Sequence, residues 1–298
     1  MLRMSKKFRI LLIMVVVVFG IGLDYLSQRI NRLENELKTT RDILMQLFTL
    51  ESKVKTVQNI LYQEGLPIDR KIQIFRSSQN KEAVSDATIA NIPKETDFNW
   101  GGRDALEVGR DSSGNLYRIL IKFNEIKKGI PKDIRPRILA ATVYLKQQGN
   151  SAEENPAFKQ VLNLYEIKKN WGEGNKIGAP ASPGESSWIA AAQSQVNWEI
   201  PGCSGKEDLD KILLVATTGA TVNSAGDGWI GIHFTPEGIF KLQRLIHDPS
   251  VVDQGFLLQF QDDDTVKNNL MSLYSSEFSS VSDRPYIEII YVSPNSSG

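Results

Sequence analysis

LEVGRDSSGNLYRILIKF, residues 106–123, reads as a β-hairpin and sets the fold class of everything around it. Asp111, Gly114 and Asn115 carry turn chemistry between two β-like runs, 106–109 and 117–123. Successive side chains of a strand point to opposite faces, so Tyr117, Ile119, Ile121 and Phe123 share one face while Arg118, Leu120 and Lys122 share the other. The pattern predicts one face in a core and the other half wet.

Outward from this hairpin, short β-like runs separated by Gly, Pro, Asn and Asp recur at 85–90, 138–146, 161–167, 212–216, 229–234, 255–261, 273–275 and 286–292, with a shorter one at 72–75. One helix interrupts them. Thr235 caps it, Pro236 takes its first position, and Ile239, Leu242, Leu245 and Ile246 form an apolar stripe that ends before His247 and Pro249. Many short strands with one short helix predict a mainly β protein, an antiparallel jelly-roll-like β-sandwich over residues 86–292, followed by a flexible tail at 293–298. No period of about 20 to 50 residues recurs, which argues against a solenoid or propeller.

Upstream the composition changes. Arg3, Lys6, Lys7 and Arg9 precede an unbroken apolar run at 10–23, ILLIMVVVVFGIGL. That order belongs to a signal segment, and the run is shorter than the roughly 20 residues a spanning helix prefers, so a cleaved signal peptide is one reading. The four valines Val15, Val16, Val17 and Val18 leave no polar face for a soluble helix. The residues after the run favour an uncleaved anchor over residues 1–26, in the membrane at 10–26, because helical periodicity passes through Asp24 without a turn residue. The basic flank then stays cytoplasmic, giving a single-pass membrane protein with an extracytoplasmic C-terminal domain; a secreted protein is the alternative.

Residues 27–64 read as a coiled-coil stalk. Ile30, Leu33, Leu37, Thr40, Leu44, Leu47, Glu51, Val54, Gln58 and Leu61 recur at alternating steps of three and four, and no Gly or Pro interrupts until Gly65 and Pro67. This seam at 30–61 predicts a homo-oligomer without fixing its number, against the alternative of a lone amphipathic helix folded on a core. A polar connector fills 65–85.

Composition excludes several functions. Lys+Arg 35 balance Asp+Glu 35, so no basic excess marks a nucleic-acid binder. One Cys and two His cannot assemble a structural zinc site, and no cofactor is expected. Neither a nucleophile elbow, nor a paired-histidine zinc motif, nor a Gly-rich phosphate loop is present. His233 and His247 read as structural and Cys203 as inert, so no catalytic constellation assembles and the chain is not expected to be an enzyme. Asp262, Asp263 and Asp264 read as a solvated turn, with calcium as the functional alternative because a hard cation takes carboxylate oxygens. Trp171, Trp188 and Trp198 fall in a Gly-, Ser-, Pro- and Asn-rich span at 171–210, a long excursion over one end of the sandwich. Their flat rings suit a sugar face, with Glu173, Glu185 or Asn197 as partners for its hydroxyls. The competing reading is that these tryptophans pin the loop to the sheet.

The serial order of these segments resembles the DNRLRE domain, a family of extracellular β-sandwich modules related to carbohydrate-binding modules. The likeness is carried by Asp86-Ala87-Thr88-Ile89, by LEVGRDSSGNLYRILIKF at 106–123, by ILAATVYL at 138–145 and by VLNLYEIKKNWGEG at 161–174. Ser187-Trp188, Trp198, Pro201-Gly202 and Asp210 continue it, and RPYIEIIYV looks like the closing strand. Cys203 stands where the family has a second Gly. The resemblance covers about residues 80–292 and implies a sandwich that binds extracellular polysaccharide or serves surface adhesion without catalysis. A structural spacer or protein-binding adhesin is the alternative, and a polysaccharide-cleaving enzyme is less favoured.

Overall fold

The computed structural model describes residues 70–77, 83–131, 136–149, 157, 160–218, 228–261, 263 and 268–292. The expected anchor at 10–26, stalk at 27–64 and tail at 293–298 lie outside the described residues, as does the connector before residue 70. Among the described residues, no helix is long and apolar enough to cross a membrane.

The strands, in chain order, are β1 (Arg70–Arg76), β2 (Val84–Ala90), β3 (Phe98–Asn99), β4 (Ala105–Arg110), β5 (Leu116–Phe123), β6 (Arg137–Lys146), β7 (Leu162–Ile167), β8 (Ala179–Pro180), β9 (Ala190–Ala192), β10 (Val196–Asn197), β11 (Leu209–Thr217), β12 (Trp229–Phe234), β13 (Phe256–Phe260), β14 (Met271–Tyr274) and β15 (Tyr286–Val292). A one-turn helix α1 (Ile126–Gly129) and a longer helix α2 (Pro236–His247) interrupt them. The fold is mainly β, as the sequence predicts. β4 and β5 form the expected hairpin, and its turn is held by Asn115, whose backbone N–H and side-chain amide donate to the Asp111 carboxylate at 2.9 and 2.8 Å. Helix α2 starts where expected: Thr235 Oγ1 accepts the Gly238 N–H at 3.1 Å, and Leu242, Leu245 and Ile246 are buried.

The main sheet is antiparallel, with eleven strands in the order β1-β15-β6-β12-β11-β7-β13-β5-β4-β14 and β2 paired to β5. It curls until β14 returns to the end of β6, where Leu273 bridges Gln147 and the Gln148 N–H donates to Ser272 O at 2.9 Å. Ile119, Ile121 and Phe123 of β5 point into the curl. There they meet Leu258 and Phe260 of β13, Val143 and Leu145 of β6, and Ile287 and Ile289 of β15, with Leu242 and Ile246 of α2 joining the same core.

Two expectations need correction. The second face of β5 is not half wet: Leu120 is fully buried and Arg118 is 3% exposed. Residues 168–208 cross that face and build a second core with Ala87, Ile89, Leu116, Ile167 and Leu257. The short strand expected at 72–75, inside a connector, is longer: Arg70–Arg76 pairs along its whole length with Tyr286–Val292, and Phe75 inserts into the main core, which fixes the register.

Candidate binding face

The loop over the second core is organised by Asp208. Its carboxylate accepts the backbone N–H groups of Glu199 at 2.8 Å, Ile200 at 3.1 Å and Gly205 at 2.9 Å, with Lys169 Nζ 2.7 Å away. Burial pushes its pKa up, but these N–H groups and the ammonium outweigh burial and hold the carboxyl below the usual range. Beneath the loop, Trp171, Trp188 and Trp198 are 8, 7 and 4% exposed. Trp171 Nε1 donates to Gln254 O at 2.7 Å and Trp198 Nε1 to Ser187 O at 3.0 Å. Gly202, at φ +81°, lies so close over the Trp188 ring that a Cβ there would come within 2.5 Å of it. The three indoles therefore meet inside the second core, where protein takes up their faces.

The polar candidates serve the same loop. Glu173 Oε1 accepts the Asp86 N–H at 2.7 Å, Glu185 Oε2 accepts the Ser182 N–H at 2.7 Å, and the carbonyl of exposed Asn197 accepts from Lys169 at 2.9 Å. Asp263 departs from the solvated turn expected of it. It is 5% exposed, and its Oδ2 receives Arg118 Nε at 2.9 Å with the other guanidinium nitrogen Nη2 at 2.8 Å. Asp262 and Asp264, the other two members of the expected calcium alternative, lie outside the described residues. Arg118 Nη1 also donates to Gly202 O at 2.6 Å, so this buried cation ties β5 to the loop above Trp188.

The other half of the curl presents a different surface. On the outer side of β1, β15, β6 and β12, the residues Ile72, Ile74, Ala140 and His233 are exposed. Strand register sets side chains in rows across it: Arg76, Tyr286, Tyr144 and Gly231 stand side by side, and Ile74, Glu288, Thr142 and His233 form the next row. Trp229 pairs with Lys146 at one end. Tyr144 and Tyr286 stack with centroids 4.8 Å apart, and Trp229 meets Tyr286 edge-on at 5.2 Å. The Arg76 guanidinium covers Tyr286 at 4.1 Å. Gly231 leaves a notch beside this cluster, walled by His233, Thr142 and Tyr144, each with an atom 3.5 Å from where a Cβ would stand.

Polar groups surround these rings. Thr142 Oγ1 and His233 Nδ1 lie 3.1 Å apart. Burial first, and the Glu288 carboxylate second, push the Tyr144 hydroxyl up, which keeps it a protonated donor. Lys146 Nζ lies 2.7 Å from Asp283, and that hydrogen bond holds the Asp283 carboxyl below the usual range. Sequence reasoning located the strands of this face but passed over its side chains. Their signal is the alternation of polar or aromatic residues with apolar ones at 142, 144 and 146, at 229 and 233 on either side of Gly231, and at 286 and 288.

No family model matches the chain. It is similar to RxLR effector protein 54 of Phytophthora infestans (strain T30-4), at 24% identity over 193 residues, covering 59% of this chain and 49% of that protein. The chain thus spans about half the length of the curated relative it matches.

Proposed function

We propose that the C-terminal domain is a non-catalytic binding module of the jelly-roll-like sandwich kind that takes an extracellular polysaccharide on the open face of β1, β15, β6 and β12. The observation that carries this reading is the cluster of Trp229, Tyr144 and Tyr286 beside the Gly231 notch, with Thr142, His233 and Glu288 within the same two rows. Aromatic rings stack on the C–H faces of sugars, and neighbouring hydroxyl, imidazole and carboxylate groups serve the sugar hydroxyls. The serial resemblance to DNRLRE modules supports the same reading. In this proposal an N-terminal anchor at 10–26 and a coiled-coil stalk at 30–61 display several copies outside the cytoplasm, which raises avidity without new contacts.

A second reading has its own observation. β1 is an edge strand whose outer residues Ile72 and Ile74 are 61% and 51% exposed, and exposed apolar edges suit a protein partner or adhesin contact. A polysaccharide array probed with wild type, Trp229→Ala, Tyr144→Ala and Trp171→Ala separates the readings. Glycan signal lost in the first two variants and retained by whatever fraction of Trp171→Ala stays folded supports the sheet face. No glycan signal from wild type favours the adhesin or spacer, and product released from a polymer would establish an enzyme. Protease added to intact cells tests the display: the domain is cut if it lies outside and protected if it does not.

A further inference from the structure

The two ends of the main sheet are finished differently. At one end β14 bridges back to the end of β6, where Leu273 meets Gln147. At the other, β1 pairs with β15 on one side and, among the described residues, with no strand on the other. An edge strand offers its outward N–H and C=O groups to any extended chain, and proteins guard such edges with short strands, proline, bulges or charge. β1 is seven residues long, contains no proline and keeps an unbroken register with β15. Of these devices it shows only charge: its sequence RKIQIFR holds Arg70, Lys71 and Arg76 and no acidic residue. Alternate residues of a strand share a face, so Arg70, Ile72, Ile74 and Arg76 form an outer row of cation, apolar, apolar, cation. The two isoleucines are the 61% and 51% exposed pair, Arg70 is exposed beside them, and the Arg76 guanidinium lies over Tyr286.

We infer that β1 is a docking edge for an extended acidic segment of a partner protein, which adds an antiparallel strand beside it. Two carboxylates of that segment stand against Arg70 and Arg76, and two apolar side chains cover Ile72 and Ile74. Opposite charges directly across a strand pair stabilise the pairing, and like charges oppose it. The same rule disfavours a second copy of this chain as occupant, because the one antiparallel register that uses all seven residues, centred on Gln73, sets Arg70 against Arg76 twice. In docking of this kind main-chain hydrogen bonds supply affinity, and alternate side chains choose the partner. Glu288, opposite Ile74 on β15, lies one strand further in and leaves the outer side of β1 to its cations. The inference rests on the protein-partner reading of this edge and gives that partner its chemistry. It is compatible with a sugar on the rings, since the added strand lies beside β1 and not over Tyr144 and Trp229.

The test is a fluorescence-anisotropy titration of the purified full chain with the labelled peptide Glu-Thr-Val-Thr-Val-Asp-Glu, together with hydrogen exchange of the backbone amides at 70–76. Laid antiparallel, its end glutamates face Arg76 and Arg70, its valines face Ile74 and Ile72, and its aspartate faces Lys71. The control peptide carries lysine at each acidic position. Saturable binding of the acidic peptide with slowed exchange at 70–76 is expected, and weaker binding of the control. Arg70→Glu, at an exposed position, is expected to weaken the acidic peptide by about five-fold and to strengthen the control. Equal binding of the two peptides by wild type, with the same slowing at 70–76, overturns the acidic partner and leaves the edge reading standing. Acidic peptide bound without slowing at 70–76 overturns strand addition, because the charges are then met elsewhere. No binding of either peptide up to about 1 mM removes the inference and the edge reading together. Slowing at 70–76 that grows with protein concentration alone puts a second copy on the edge and overturns the inference as well.

Discussion

The two halves of the curled sheet carry aromatic residues on their outer sides and treat them in opposite ways. Outside β5, β13 and β7, the loop at 168–208 passes over the sheet, and Trp171, Trp188 and Trp198 disappear between loop and strands. Two of their indole N–H groups donate to backbone carbonyls of the protein, at Gln254 and Ser187. Outside β15, β6 and β12, Trp229, Tyr144 and Tyr286 pack on one another and remain half-buried. What an aromatic residue does is decided by what crosses it, and residue type alone is silent on that. The covered half spends its indoles on stability, whereas the open half holds its rings where a ligand can reach them.

The sharpest break in this comparison is expected from truncating a covered ring. Trp188→Ala removes an indole packed under Gly202 and beside the Arg118 guanidinium, 5.4 Å from its ring. A loss of about 3 to 5 kcal/mol is expected, read as a lower denaturant midpoint or Tm, because the tight cover cannot collapse into the space. A Tm within a degree or two of wild type would show that the covered face is not a core.

Asp208→Asn should come next with a loss of about 2 to 3 kcal/mol, since an amide set against three N–H groups and an ammonium leaves buried donors poorly served. Its pH dependence sharpens the test. The folded pKa of Asp208 lies below the unfolded one, so its stabilisation is complete above the ordinary aspartate value of about 3.9 and is lost as pH falls through the lower folded value. Urea midpoints of wild type and Asp208→Asn should therefore differ most near neutrality and converge in acid. A constant difference down to the lowest pH at which both fold would assign the loss to packing instead.

The strand pattern was legible because it depends on local chemistry. Asp111, Gly114 and Asn115 announced the hairpin, and Thr235 with Pro236 announced α2. What the sequence withheld depends on residues distant in the chain. Arg118 reads as a surface residue of a strand, yet it pairs with Asp263 and bonds the carbonyl of Gly202, 145 and 84 positions away. The strand Arg70–Arg76 has exposed Ile72 and Ile74, which blur its alternation, and only its pairing with β15 makes it part of the domain. For the site, the three loop tryptophans attracted notice because they cluster in sequence. Tyr144, Trp229 and Tyr286 are dispersed along the chain, and strand pairing alone gathers them.

On the open half, Trp229→Ala should cost only about 1 kcal/mol of stability, since the ring is half-buried, meets Tyr286 edge-on and has the Arg76 and Lys146 cations near its face. Glycan retention on affinity gels is the readout expected to fall. A loss as large as that of Trp188→Ala, with ligand binding intact in the folded fraction, would make the two halves alike and remove the contrast.

Gly231→Ala is the finest probe. Gly231 does not adopt the left-handed backbone, and an added Cβ meets His233, Thr142 and Tyr144 at 3.5 Å, which is ordinary contact rather than a clash. A strand interior gains by exchanging glycine for alanine, because the unfolded chain loses freedom it otherwise keeps, so a gain of up to about 0.5 to 1 kcal/mol is expected. The same methyl fills the notch beside the Tyr144 ring. If a sugar settles into that notch, Gly231→Ala weakens glycan retention while the protein melts at or above the wild-type temperature, a combination that no general loosening of the fold produces. Unchanged retention would move the ligand off the notch and onto the rings of Trp229 and Tyr286 alone.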